Sequence, residues 1–172
     1  MTVAELATIE LAESYTWDSP DVRAFFQTLA VEQAECSGYP LRFFEDISNP
    51  KTFYLITGWK SVPAHYEWIT GEKNKALLGR AKDLLKVVGL EHAELDSEVA
   101  NGEYVVWKKW EAQEGQTYDT KATGKVLEAR GVGKGPEGKE MVSSLEIYAE
   151  KEAAVGASEN GKFKVMHKVV VS

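Results

Sequence analysis

Three histidines, at positions 65, 92 and 167, are the whole complement of this 172-residue chain. An imidazole ionises near neutral pH, so each is a candidate general acid or base. His65 stands in "FYLITGWKSVPAHYEWI", residues 53–69, where a strand pattern gives way to a helix pattern. It falls one helical turn after a Gly-Trp pair, close to Trp59, Tyr66 and Trp68. His92 sits inside "GLEHAEL", and period-two alternation puts it on one strand face with Leu90 and Glu94. A carboxylate two residues away on the same face can orient an imidazole, so Glu94 is a candidate partner of His92. The plainer readings are a helix-surface ring for His65 and a polar subunit contact for His92. His167 alternates with Phe163, Val165, Val169 and Val171, a setting that fits packing better than catalysis. No two histidines have metal-ligand spacing, so no metal site is expected.

The aromatic residues widen the possibilities. Five tryptophans, seven tyrosines and six phenylalanines are present. Large rings with one polar atom suit a flat aromatic ligand, and they suit an ordinary core equally well. Trp59, Trp68, Tyr54 and Tyr66 are the candidates for contact with such a ligand because they cluster around the strand-to-helix turn. The single cysteine, Cys36, falls on the apolar stripe of a helix pattern and is expected to be a buried thiol. "GVGKGPEG", residues 131–138, has spaced glycines but no convincing strand before it or helix after it. It reads as a hairpin loop, not a dinucleotide site. No cofactor is expected.

Composition excludes several classes of partner. The formal net charge is −7, which disfavours nucleic acid. No apolar run approaches the roughly 20 residues needed to cross a bilayer. The acidic "MTVAELATIELAES" start lacks the form of a secretory signal, so a cytoplasmic protein is expected.

The elements that must position these residues follow from periodicity and punctuation. Residues 6–14 alternate as a strand with Ile9 and Leu11 on one face. Ser19, Pro20 and Asp21 open a helix whose stripe is Val22, Phe25, Phe26, Leu29, Gln33 and Cys36, with Gln33 the polar member. Gly38 and Pro40 stop it. Strands are expected over 41–47 and 53–59. Ser61 caps a helix that Thr70-Gly71 interrupts and that resumes over 72–85, with Ala76, Leu77, Ala81, Leu84 and Leu85 inward. A fourth strand covers "KVVGLEHAELD". This βαββαβ order is the ferredoxin-like unit, an antiparallel sheet with both helices on one face. The other face needs a cover, and a second such sheet is the natural one.

Residues 97–172 hold the parts of that second sheet. Strands are expected over 103–112 and in "GKFKVMHKVVVS", and "SSLEIYAEKEAAVGAS" (143–158) reads as a strand turning into a short helix. No long amphipathic helix is found between Gln113 and Arg130, so this half is a degenerate repeat of the first. The expected organisation is a ferredoxin-like unit over 1–96 and a degenerate second unit over 97–172, packed as one compact domain.

The strand end "GWKSVPAHYEWI", the following "GEKNKALLGRAKDLL", the closing "GLEHAEL" and, in the second half, "LEIYAEKEAAVGAS" carry a family likeness. The chain resembles the antibiotic biosynthesis monooxygenase-like domains of the dimeric α+β barrel superfamily, in the fungal type that carries two units in tandem. That resemblance implies an α+β fold with a cavity between sheet and helices that takes a hydrophobic or aromatic molecule. The superfamily spans cofactor-free monooxygenases, haem-degrading enzymes, isomerases, polyketide cyclases and proteins without known reaction, so it fixes no activity.

Two functions fit. One is a cofactor-independent enzyme acting on an aromatic or polyketide-like compound by base-assisted oxygenation, isomerisation, cyclisation or dehydration. His65 or His92 would be its base, and Tyr54 and Trp59 would position the substrate. The other is a non-catalytic hydrophobic-ligand-binding or stress-related barrel. The chain is expected to be a homodimer. The face of the fourth strand that carries His92 is left open, since Leu90, His92 and Glu94 can meet either the helices or the partner sheet.

Overall fold

A computed structural model describes residues 2–95, 101–112, 127–134, 139–159 and 163–171, with the backbone alone for 127–134. The first half runs β1 (Val3–Leu11), α1 (Pro20–Ser37), β2 (Arg42–Asp46), β3 (Asn49–Trp59), α2 (Val62–Thr70), α3 (Glu72–Ala81) and β4 (Leu85–Ala93). The second runs β5 (Tyr104–Glu111), β6 (Leu127–Lys134), β7 (Glu140–Tyr148), α4 (Lys151–Ala157) and β8 (Lys164–Val169).

The described strands form one antiparallel sheet in the order β4-β1-β3-β2-β8-β5-β7-β6. Its halves have the same internal order. β4-β1-β3-β2 is the ferredoxin-like arrangement, and β8-β5-β7-β6 repeats it with β5 in the place of β1. β2 pairs with β8 to join the halves, and the two ends of the ladder, β4 and β6, come back against each other. The sheet therefore curls on itself, and the molecule is α+β.

Each strand of the curl alternates between two cores, as a period of two requires. Ala4, Leu6, Tyr54, Ile56 and Ala93 face inward to meet Val105, Trp107, Leu145 and Met166 of the second half. Ala7, Ile9, Leu11, Phe43, Phe53, Leu55 and Trp59 face outward beneath the helices of the first half. There α1 lays down Val22, Phe25, Phe26 and Leu29, and Trp17 stacks on Phe26 and Phe53 at 5.2 and 5.0 Å.

Punctuation is largely where the sequence puts it. Gly38 ends α1 at φ 79°, a left-handed conformation that costs glycine nothing. Ser61 Oγ accepts the Ala64 amide at 3.3 Å to cap α2. Several expectations need correction. β3 starts at Asn49 and not at Phe53, and α3 ends at Ala81, so Leu85 is the first residue of β4 and not part of the helix. β1 begins at Val3, three residues earlier than alternation from Leu6 implies. Ala76 is exposed, because the line of α3 that meets the sheet is Asn74, Leu77 and Ala81. Cys36 is exposed, on an open groove where the last turn of α1 meets α2 and α3. Residues 131–134 are the end of β6, where β7 supplies the ladder that two glycines alone would not favour. Positions 135–138 of that expected loop, and 113–126, lie outside the described residues. Among the described residues no helix is long and apolar enough to cross a membrane.

Candidate functional site

β1 and β4 are neighbours, and their register sets Glu5 directly opposite His92. β3 flanks β1 on its other side, with Glu5 opposite Thr57 and Trp59 two residues further along. Residues in this relation share a sheet face and reach one another. That face is the one covered by helices, so the alternative left open by the sequence is resolved: Leu90 and His92 point toward the helices, and Ala93 points into the inner core. From above, α1 brings Gln33 and α2 brings His65.

These side chains make one connected cluster. Glu5 Oε2 accepts a hydrogen bond from Gln33 Nε2 at 2.7 Å and one from Trp59 Nε1 at 2.7 Å. His65 Nε2 stands 3.2 Å from the same oxygen. On the other edge of its ring, His65 Nδ1 lies 2.7 Å from His92 Nε2. The His65 ring stacks on Trp59 with centroids 4.5 Å apart, which fixes its plane. Three nitrogens thus crowd one carboxyl oxygen, and among the described residues none is placed against Glu5 Oε1.

Burial governs the electrostatics. Glu5 is 5% exposed and His65 2%. Loss of hydration pushes the Glu5 carboxyl up to about 7, against the opposing pull of the Trp59 and Gln33 hydrogen bonds. Burial, and then the charge of a protonated His92, press His65 down to about 3. Burial also lowers His92. Near neutral pH, Glu5 therefore exists as both acid and carboxylate, while His65 is a neutral ring. The group poised to exchange a proton is the glutamate.

The cluster closes one end of an apolar cavity of about 250 Å³ between sheet and helices. Glu5, Gln33, His65 and Asn74 are the polar residues of a lining otherwise made by apolar side chains such as Phe25, Leu29, Leu55, Trp68 and Leu77. Leu78, Val87 and Leu90 line it too and are 41–53% exposed, so the cavity opens past them. The volume lies just below the roughly 300–1,000 Å³ of drug-sized ligand sites, which suits a compact ring system. A haem does not fit: the space is too small for a macrocycle, and both ring nitrogens of His65 are engaged. Among the described residues no group of three acidic, His or Cys side chains is arranged to hold a metal ion.

The residues singled out by sequence divide into those that meet at the cavity and those that do not. His65, His92 and Trp59 meet, and Trp68 lines the cavity beside them. Tyr66 is exposed, with its ring 5.8 Å from that of His92 on the outer side of the cluster. Tyr54 is not at this cavity. It alternates with Phe53 and Leu55, so it faces the inner core, where its hydroxyl donates to Asp46 Oδ2 at 2.7 Å. Glu94 does not orient His92 either. β4 ends at Ala93 and Glu94 is exposed, while the His92 ring is held by His65. His167 is half-exposed, 2.9 Å from Glu103 and stacked on Tyr104.

Sequence reasoning passed over Glu5, the centre of the site. The signal was present: carrying the alternation Leu11, Ile9, Ala7 back two residues lands on Glu5, a carboxylate on an apolar strand face. Gln33 was the matching polar intruder on the stripe of α1. Two polar residues on facing apolar stripes are each costly to bury alone, and they satisfy each other here.

Solved structures with this architecture share little sequence with it. A protein provisionally named chlorite dismutase TA0507 superposes with a TM-score of 0.64 at 8% identity, covering 99% of this chain and 95% of its own. A mutant chlorite dismutase from Candidatus Nitrospira defluvii gives 0.62 at 13%, covering 99% and 92%. An anthrone oxidase-like protein gives 0.54 at 12%, covering 98% and 92%. No family model and no curated protein matches the chain. Likeness at such identities shows the fold alone: an α+β barrel whose single curled sheet repeats the ferredoxin-like strand order in its two halves.

Proposed function

We propose that the protein is a small-molecule enzyme, a cofactor-independent monooxygenase or a related base-assisted isomerase, cyclase or dehydratase. The observation that carries this reading is the buried Glu5 carboxyl, held near neutrality at the closed end of an apolar cavity. A carboxylate in that position accepts a proton from a carbon or hydroxyl made acidic by a neighbouring carbonyl or aromatic ring. In the oxygenase form the resulting anion reacts with dioxygen. A ring CH₂ gives up two hydrogens, the O–O bond breaks, and one oxygen stays as a carbonyl while the other leaves as water. The apolar lining keeps bulk water from reprotonating the anion. In this reading His65 and His92, the bases expected from sequence, become partners of Glu5, and Trp59 and Trp68 its walls.

The substrate class is an aromatic or polyketide-like compound. We further take residues 1–96 and 97–172 as two units of one compact domain, supported by their shared strand order. A homodimer in the cytoplasm completes the reading, the latter in keeping with a free exposed thiol at Cys36.

Anthrone and 1-naphthol in air-saturated buffer test the proposal, with oxygen uptake and product mass followed together. Turnover is expected in the wild type and a loss of about 10²-fold or more in Glu5→Gln, with ligand quenching of tryptophan fluorescence retained. Fluorescence quenching without oxygen uptake and without any new product, of changed or unchanged mass, on chromatography of the wild-type reaction would instead favour a ligand-binding barrel.

A further inference from the structure

The cluster has an inner end in the cavity and an outer end toward solvent. Glu5 and His65 are buried, whereas His92 is partly exposed, and among the described residues no group is placed against its Nδ1. The three are joined edge to edge, Oε2 to Nε2 at 3.2 Å and Nδ1 to Nε2 at 2.7 Å, both within reach of proton transfer. We infer that Glu5, His65 and His92 form a proton relay that exchanges the Glu5 proton with solvent without charging either histidine. The inference rests on the reading of Glu5 as the proton-exchanging group of the cavity.

The relay has two end states. With Glu5 ionised, His65 Nε2–H faces Oε2, and His65 Nδ1 accepts from His92 Nε2–H, which leaves His92 Nδ1 bare. A proton arriving at His92 Nδ1 releases the Nε2 proton of His92 to His65 Nδ1, and His65 releases its own Nε2 proton to Glu5 Oε2. One N–H bond forms and one breaks at each ring, so both rings end neutral in the opposite tautomer. The reverse sequence empties Glu5 to solvent. The geometry holds the rings for this: Trp59 stacks on His65, and strand register seats His92 opposite Glu5. Among the described residues the titratable groups in contact with the relay are its own members and Tyr66. α1 contributes the neutral Gln33, β3 the neutral Trp59 and α3, across the cavity, the neutral Asn74.

Nitrogen-15 spectra of histidine-labelled full-length protein test the relay without any substrate, because they distinguish Nδ1–H, Nε2–H and doubly protonated rings. From about pH 6 to 8.5 the rings of His65 and His92 are expected to stay neutral and to switch together, from Nδ1–H to Nε2–H as pH rises. The switch should share the midpoint of the Glu5 carboxyl carbon, and Glu5→Gln should abolish it, locking both rings in one form. A single tautomer at every pH in the wild type overturns the relay, whether or not the carboxyl titrates, since any proton then rests on Oε1. Separate titration of the two rings to imidazolium overturns it as well. Turnover of anthrone with fixed tautomers would sink the relay and leave the assignment of Glu5 standing. A tautomer switch without turnover would do the opposite.

Discussion

Glu5 is stable as a buried acid and costly as a buried anion, and that asymmetry has a measurable sign. Its folded value of about 7 lies above its ordinary 4.5. The folded state therefore holds the proton more tightly, and this contribution to stability is full below about pH 4.5 and lost as pH rises through 7. His65 and His92 act in the opposite sense, since both are lowered below 6.5 and lose stability as pH falls. The variant Glu5→Gln removes the first effect, keeps an oxygen for Trp59 and Gln33, and retains both histidines. Relative to wild type its unfolding free energy is expected to rise by roughly 3 kcal/mol between about pH 4 and pH 8. Urea unfolding of both proteins across that range checks it, and a parallel pair of curves would remove the neutral buried acid. At this scale the sequence was legible where chemistry announces itself by residue type, as at His65 and His92. It was faint where the decisive property is burial. Glu5 is one of 27 acidic residues, and only its place in the alternation of β1 sets it apart before the fold removes it from water.

The elements carry the site by their junctions. Trp59 is the last residue of β3, Ser61 caps α2, and His65 follows one turn later, so the stack of His65 on Trp59 is set by a two-residue connection. Gly71 then lets α3 follow α2 at close quarters: a Cβ there would stand 3.1 Å from the Glu67 carbonyl oxygen. The cap can be tested directly. Ser61→Ala leaves one amide of the first turn without its side-chain partner, at a cost of about 1 kcal/mol. For a domain of this size the melting temperature should fall by about 3 °C. Because His65 lies in that first turn, the nitrogen-15 signals of both His65 and His92 should shift, while His167 in β8 stays put. An unchanged His65 would mean that packing on Trp59 holds the ring without the cap. The helix starts and stops could be read in advance because capping and glycine chemistry are local. The start of β1 could not, because Val3 to Glu5 are strand by pairing with Thr57, Gly58 and Trp59 of β3 and with His92 and Ala93 of β4.

At the scale of the whole molecule, the two halves satisfy each other. β2 pairs with β8, β4 meets β6, and Lys109 of β5 reaches Glu91 of β4 at 2.6 Å. The inner face of the sheet is thus covered within one chain, so a homodimer has to be built from a different surface. The apolar side chains left exposed offer one: Val87, Val88 and Leu90 on β4 and Leu78 on α3 are each 41–53% exposed. Val87, Leu90 and Leu78 also line the mouth of the cavity, so a contact made there would shield the opening as well as the apolar area. Light scattering at micromolar protein should therefore give twice the 19.1 kDa of the chain. Replacing Val87 and Leu90 together by lysine should return it to a single chain. Both side chains are already half in water, so the fold should tolerate the change at a cost of about 1 kcal/mol or less. A wild-type particle of 19.1 kDa would count against the dimer, and a lysine variant that stays dimeric would move the interface elsewhere.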